Sequence, residues 1–294
     1  MPATLRSMLR PFVPLWAWER LRQIKARNRL RRFRSELVRF PARLAHHNYG
    51  GIPLAVWITD DVAAEWYEHD WPIANEIAFL RQSRLNAGAR VFDLGAHQGV
   101  VALQLAQSVG PKGAVLAVEA HPHNAGVAIR NRDENGMPWL QILNAAVSDR
   151  PGSLTFDATV LNPKIGQVGH VGRLEVPAIT IDELAASHGV PDVVLIDIEG
   201  HECAALRGAG ILLASQTPPD LLLEVHAGCG LEELGGTVED LLRLIPSGKY
   251  HLFLANGTFE GIACDAGEFR PFRPGDPAMN SRFFLGALAH RDGL

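Results

Sequence analysis

Apolar residues recur along this chain in two rhythms, and each predicts a different element. Leu30, Phe33, Leu37 and Phe40 return at steps of three and four, preceded by Leu21 and Ile24, with arginines in the gaps. That spacing predicts one amphipathic basic helix, or two in succession, between Trp16 and Phe40 and ended by Pro41. A Gly-rich turn over 48–53 follows, dividing an arm (1–45) from the body (46–294). In the body, short apolar runs alternate with helical patterns. Strands are predicted at 90–94, 114–118, 140–143, 193–198 and 221–225, and helices at 100–109, 124–135, 181–187 and 201–213. Strand-then-helix alternation implies a parallel sheet covered by helices on both faces. The tail reads as strands alone, at 250–255, 259–263 and 282–288, with a turn at Asn256-Gly257. An antiparallel addition is expected there.

Composition sharpens this division. The 294 residues are 47% hydrophobic and 20% charged, with a formal net charge of -4, which excludes disordered, collagen-like and coiled-coil classes. The near-neutral total hides an asymmetry. Residues 1–45 contain twelve basic and two acidic residues, a balance of +10, and the remainder carries -14. A basic nucleic-acid-binding body is therefore unexpected, and any attraction to anions belongs to the arm. Cys203, Cys229 and Cys264 form no C-x-x-C, so no zinc knuckle or disulfide framework is signalled, and a reducing, cytoplasmic setting is expected. No apolar run approaches the roughly 20 residues of a membrane span.

The most informative stretch is VFDLGAHQGVVALQLAQ, where a strand ends in Asp93, turns through Gly95, Ala96 and Gly99, and enters a helix. Ligands of open α/β sheets bind beyond the carboxyl ends of the strands, where this turn falls. The dinucleotide fingerprint G-x-G-x-x-G is absent, and a carboxylate at Asp93 would repel a pyrophosphate. This counts against an NAD-dependent dehydrogenase. A cofactor with a cationic amino-acid end, such as S-adenosylmethionine, would be attracted instead. Glu119 ends the next strand, where an acid accepts hydrogen bonds from a ribose diol. Either acid alone reads equally well as a capping or surface residue, but the pair on consecutive strands points to a nucleoside cofactor.

These residues resemble the FkbM-type S-adenosylmethionine-dependent methyltransferases from about position 75 to 288. VFDLGAHQG is similar to that family's D-x-G-A-N-x-G loop, with His97 in place of Asn. AVEAHP, ending at Pro122, is similar to its E-P-x-P block, with Ala120 in place of the first Pro. NAAVSD (144–149) and ITIDEL (179–184) also fit. LIDIEGHE (195–202) is similar to the K-I-D-V-E-G-x-E block, with Leu195 in place of Lys. The resemblance implies a class I methyltransferase (Rossmann-like) fold, an α/β architecture with a seven-stranded, mostly parallel sheet, an antiparallel C-terminal strand and helices on both faces. It implies methyl transfer, most often to a hydroxyl oxygen of a small metabolite, sugar or lipid-linked glycan. By position, Asp93, Gly95, Ala96 and Gly99 would surround the methionine part of S-adenosylmethionine. Glu119 would hold the ribose, Ala120 or His121 and Ala146 would line the adenine, and Asp197 would lie beside the methyl group.

Methyl transfer requires an aligned acceptor and removal of its proton. Asp197, His201 and His226 are the candidate catalytic residues, in a group with Glu199 and Glu202; Glu199 reads equally well as a turn or cap residue. No metal is expected, although Asp197, Glu224 and His226 would suit Mg²⁺ as an alternative. The segment 158–176, with Lys164, Gly166, Gly169 and Gly172, reads as a loop, either a lid over the acceptor or a plain surface loop. Asn280 falls just before the final strand. A non-catalytic protein that binds the cofactor or acts as a scaffold is the competing reading, motivated by Leu195. The arm could pack or dimerise, or lie peripherally on an anionic membrane through Trp16, Trp18, Phe33, Phe40 and its arginines.

Overall fold

The computed structural model describes residues 14–161, 173–260 and 263–290. The chain opens with a single helix, α1 (Leu15–Arg39), which ends as Phe40 turns extended ahead of Pro41. The hairpin β1 (Arg43–Tyr49) and β2 (Ile52–Ile58) turns at Gly50-Gly51 and leads into α2 (Asp61–Tyr67) and α3 (Asn75–Arg81). The alternating core follows: β3 (Arg90–Leu94), α4 (Val100–Val109), β4 (Ala114–Glu119), α5 (Pro122–Glu134) and β5 (Leu140–Asn144). Three strands then form a small separate sheet, β6 (Ala146–Val147), β7 (Gly152–Asp157) and β8 (Arg173–Ile179). Next come α6 (Ile181–His188), β9 (Val193–Ile196), α7 (Glu202–Arg207), α8 (Gly210–Ala214), β10 (Asp220–Val225) and α9 (Val238–Leu244). The chain closes with β11 (Tyr250–Glu260), β12 (Ala263–Ala266), β13 (Arg270–Pro271) and β14 (Phe283–Ala289).

The main sheet runs β12-β11-β14-β10-β9-β3-β4-β5, with β13 paired to β11. Strands β3, β4, β5, β9 and β10 are mutually parallel, and β14 inserts antiparallel between β10 and β11. The seven expected strands are present, and β12 and β13 extend them at one edge. Strand alternation sorts the core onto two faces. Phe92, Leu94, Leu116, Val118, Val194 and Ile196 pack with α6 to α9, whereas Val91, Val115, Ala117, Val193 and Leu195 pack with α3, α4 and the hairpin. Both faces are buried, which explains why β9 reads VVLI and β10 reads DLLLEV without alternation. A single Leu223→Ala in this core would cost about 2–5 kcal/mol.

Three sequence expectations fail here for identifiable reasons. Asn256-Gly257 is not a turn. β11 passes straight through it, with Asn256 paired to Phe283 and its carbonyl accepting from Gly267 N. The helix expected over 201–213 is broken at Gly208, where a Cβ would lie 2.2 Å from the Ser148 carbonyl oxygen. It restarts as α8, whose Ile211 and Leu212 N–H groups donate to the Asp182 carboxylate. Finally, 173–176 is not loop but the first half of β8, which pairs residue by residue with β7 and buries Val176. Lys164, Gly166, Gly169 and Gly172 lie outside the described residues.

The hairpin positions α2 beside the crevice at the strand ends. Strand β2 has an open edge that α5 satisfies with two amides one turn apart: Trp57 N donates to Asn131 Oδ1 at 2.7 Å, and Asn135 both accepts from Ala55 N and donates to Ala55 O. Edge backbone groups are thus paired by side chains rather than left as a template for another strand.

Candidate active site

Three acids stand at the carboxyl ends of neighbouring central strands. Asp93 lies in β3, Glu119 ends β4, and Asp197 follows β9, where its N–H donates to the Leu94 carbonyl at 2.9 Å. Asp93 is fully buried, and its Oδ2 has no hydrogen-bond partner. Burial first, then the nearby Asp197 and Glu119 charges, push its carboxyl up to about 7. Glu119 is likewise raised to about 7 by burial, against the pull of two backbone donors. Those donors are His97 N, 2.9 Å from Oε2, and His121 N, 2.7 Å from Oε1.

The turn between β3 and α4 is shaped by close approach. At Gly95 (φ +96) a Cβ would stand 1.7 Å from the Asp197 carbonyl oxygen, so the near neighbour is the β9 strand end itself. At Gly99 (φ +81) a Cβ would meet the Ala128 Cβ at 3.0 Å, which fixes α4 against α5. His97 between them also has a positive φ of 48. Asn and His are both among the residues that tolerate the left-handed region, so His can replace the family's usual Asn without breaking the turn. Ala96 is buried. On the far side of Glu119, Ala120 and Ala146 join one small apolar cluster with Phe156 and Val176.

The fourth and fifth strands carry a denser charge group. His226 is fully buried; its Nδ1 is 2.7 Å from Glu202 Oε1, and its Nε2 is 3.4 Å from Glu199 Oε2 and 3.7 Å from Asp197 Oδ1. Burial works against the charged ring, but Glu199, Glu202 and Asp197 outweigh it and hold His226 up at about 11. Arg282, at the entry to β14, brings Nη2 to 2.5 Å from His226 Nε2 and Nε to 2.5 Å from Glu224 Oε1. A guanidinium can bond that ring nitrogen only through its lone pair. His226 therefore either holds a proton or receives Arg282, and in neither state is it a free base. Asp197, Glu199 and His226 offer ligand atoms within 4.8 Å of one another, and Arg282 Nη2 reaches the His226 Nε2 in the same group.

Asp197 differs from its neighbours because 40% of its side chain is exposed and its Oδ1 has no hydrogen bond. Desolvation within the crevice raises its pKa; His226 and Arg282 oppose that rise and Glu199 adds to it. His201 stands apart from this group, with Nε2 3.2 Å from Ser148 Oγ. Sequence reasoning missed Arg282 and the whole contribution of α2. Asp60 caps α2 through Ala63 N and gathers Gln98 and His123. Tyr67 Oη lies 2.6 Å from His97 Nδ1, and the Trp66 ring lies 4.9 Å from the His97 ring. The Asp60-to-Tyr67 stretch precedes the alternating body, where no motif marked it.

The Methyltransferase FkbM domain family matches residues 93–252. The hexuronic acid methyltransferase AglP of Haloferax volcanii is 31% identical over 121 residues, 40% of this chain and 49% of that protein. The chain thus spans about half the length of the curated relative it matches. Among solved structures, the chain is similar to the methyltransferase FkbM from Methylobacillus flagellatus KT, at 16% identity and a TM-score of 0.44, covering 68% of this chain and 43% of that one. It is also similar to an SAM-dependent O-methyltransferase from Thermotoga maritima, at 9% identity and a TM-score of 0.41, covering 86% and 80%. Because the match to the family extends from Asp93 in β3 into β11 and takes in more than half of the chain, this protein belongs to the FkbM methyltransferase family.

Proposed function

We propose that the protein is an S-adenosylmethionine-dependent methyltransferase that methylates an oxygen of a small, sugar-like acceptor. The observation that carries this reading is the row of Asp93, Glu119 and Asp197 at adjacent strand ends, with Asp93 Oδ2 and Asp197 Oδ1 lacking any hydrogen-bond partner. Orphaned buried carboxylate oxygens call for a cationic or hydrogen-bonding ligand, and the ammonium and hydroxyl groups of this cofactor suit them. When bound, the cofactor supplies an electrophilic methyl group on a sulfonium centre. Asp93 would hold the amino-acid end, Glu119 the ribose hydroxyls, and the Ala120, Ala146 and Phe156 cluster the adenine face.

Asp197 is the proposed base. It is the exposed carboxylate of its group, and a raised pKa improves a carboxylate's affinity for an acceptor hydroxyl proton. His226 and Arg282 would keep Asp197 and Glu199 oriented. The relative that methylates a hexuronic acid makes sugars and sugar acids the first acceptors to try. A second reading, binding without transfer, is favoured by Leu195, an apolar side chain buried in the core where the family's Lys would supply charge. The test is calorimetric titration with S-adenosylmethionine, followed by labelled-methyl transfer to a panel of hexoses and hexuronic acids. Wild type should bind, and Asp93→Ala should lose at least tenfold in affinity; unchanged binding by that variant overturns the site. Binding without transfer to any acceptor would favour the second reading.

Helix α1 would supply a contact with an anionic membrane surface. Its sequence carries nine basic residues against two acidic ones, and Leu21, Ile24 and Val38 are exposed along it. Among the described residues, no helix is long and apolar enough to cross a membrane.

A further inference from the structure

The acids of the crevice suit the sulfonium and ammonium of the cofactor proposed above, but they are hostile to its carboxylate. Asp93, Glu119, Asp197 and Glu199 all bear on the same space. A carboxylate placed there needs N–H or O–H donors that carry no negative charge.

Two such donors lie on touching rings at the cofactor turn. His97 Nε2 and Trp66 Nε1 are both buried and without a hydrogen-bond partner, and the two rings are 4.9 Å apart. The state of His97 follows from its other nitrogen. Nδ1 faces the Tyr67 hydroxyl at 2.6 Å. Tyr67 is buried, and its phenol is held far from ionisation by burial and by the surrounding carboxylates. Its hydroxyl hydrogen must therefore be donated, and the Nδ1 lone pair is the partner in reach. A neutral imidazole that accepts at Nδ1 carries its own proton at Nε2. Burial, which outweighs the charges around it, pushes the His97 pKa down to about 4, so the ring is neutral. Tyr67 is itself anchored, since the Tyr49 hydroxyl donates to its carbonyl. His97 also belongs to the crevice: its backbone N donates to Glu119, and Glu199 is among the charges acting on its ring.

We infer that His97 Nε2–H and Trp66 Nε1–H together receive the carboxylate of S-adenosylmethionine, with Tyr67 as the positioning residue that fixes the His97 tautomer. This rests on the cofactor reading above and assigns α2, which precedes the matched family region, a part in cofactor recognition. The pair would select for an intact amino-acid end while leaving the acids to the cationic groups.

The test compares two ligands on the full chain by titration calorimetry: S-adenosylmethionine and its decarboxylated analogue, which keeps the sulfonium and ammonium but lacks the carboxylate. His97→Phe should weaken S-adenosylmethionine at least tenfold and the analogue less than twofold. Trp66→Phe keeps a ring against His97 and should show the same selectivity at about three- to tenfold. Tyr67→Phe should fall between the two, again sparing the analogue. Retained binding of the analogue reports an intact fold in each variant. Equal losses for both ligands in His97→Phe and Trp66→Phe, or no loss in either, overturn the inference alone. A wild type that binds neither ligand overturns the cofactor reading as well.

Discussion

The crevice and helix α1 hold charge of opposite sign in opposite environments. In the crevice, Asp93, Glu119, Glu202 and His226 are buried, so every charge must find a partner or give up its proton. On α1, Arg20, Arg27 and Arg31 are exposed and need no partner. Water screens them from each other and from the body. Removing a charge from the first region should therefore be read in folding stability, whereas changing charges on the second should be read only in what the protein binds.

The largest effect is expected at Glu202, whose Oε1 takes both His226 Nδ1 and Gly200 N. Glu202→Ala strands a buried histidine and should lower unfolding free energy by about 3–5 kcal/mol, measurable by urea denaturation. A loss below 1 kcal/mol would mean that the crevice charges are no more tightly held than those of α1.

Next is the pH dependence carried by Asp93. Its native pKa of about 7 lies above the ordinary 3.8, so between those values the native state binds the extra proton. Its contribution to stability is full below about pH 4 and is lost as pH rises through about 7, by up to about 4 kcal/mol. Asp93→Asn does not titrate. In the ligand-free protein, its melting temperature should climb relative to wild type across that window, and parallel curves for the two proteins would remove Asp93 from the buried group.

The smallest effect on folding, and the clearest on binding, belongs to α1. Reversing Arg20, Arg27 and Arg31 to Glu should leave the melting temperature within a degree or two and cofactor affinity unchanged. At roughly fivefold per basic residue removed, it should weaken flotation with anionic phospholipid vesicles at least a hundredfold at low salt. Equal flotation of wild type and variant would break the membrane reading. Wild-type binding to a polynucleotide but not to vesicles would replace it.

The arrangement of β3, β4, β9 and β10 was legible because doubly buried strands leave continuous apolar runs, and the acids that end them interrupt those runs. Arg282 was not legible. A lone arginine before a strand has no local signature, and its role comes from the antiparallel insertion of β14 beside β10. Tyr67 and Trp66 were hidden for a similar reason, since they reach His97 only through a hairpin held by the two amides of α5. Asn256-Gly257 misled because turn chemistry is local, while the ladder from Asn256 to Phe283 is not.

Gly95 bears on how the crevice can move. With no room for even one carbon between this turn and the Asp197 carbonyl, the cofactor loop and the acceptor-side strand end behave mechanically as a single part. Whatever adjusts to admit an acceptor must therefore come from elsewhere, such as the small sheet of β6 to β8 or the side chains of α2. The distance between the two chemical halves of the crevice is set by main chain, and side-chain substitutions around it can retune charge without changing that gauge.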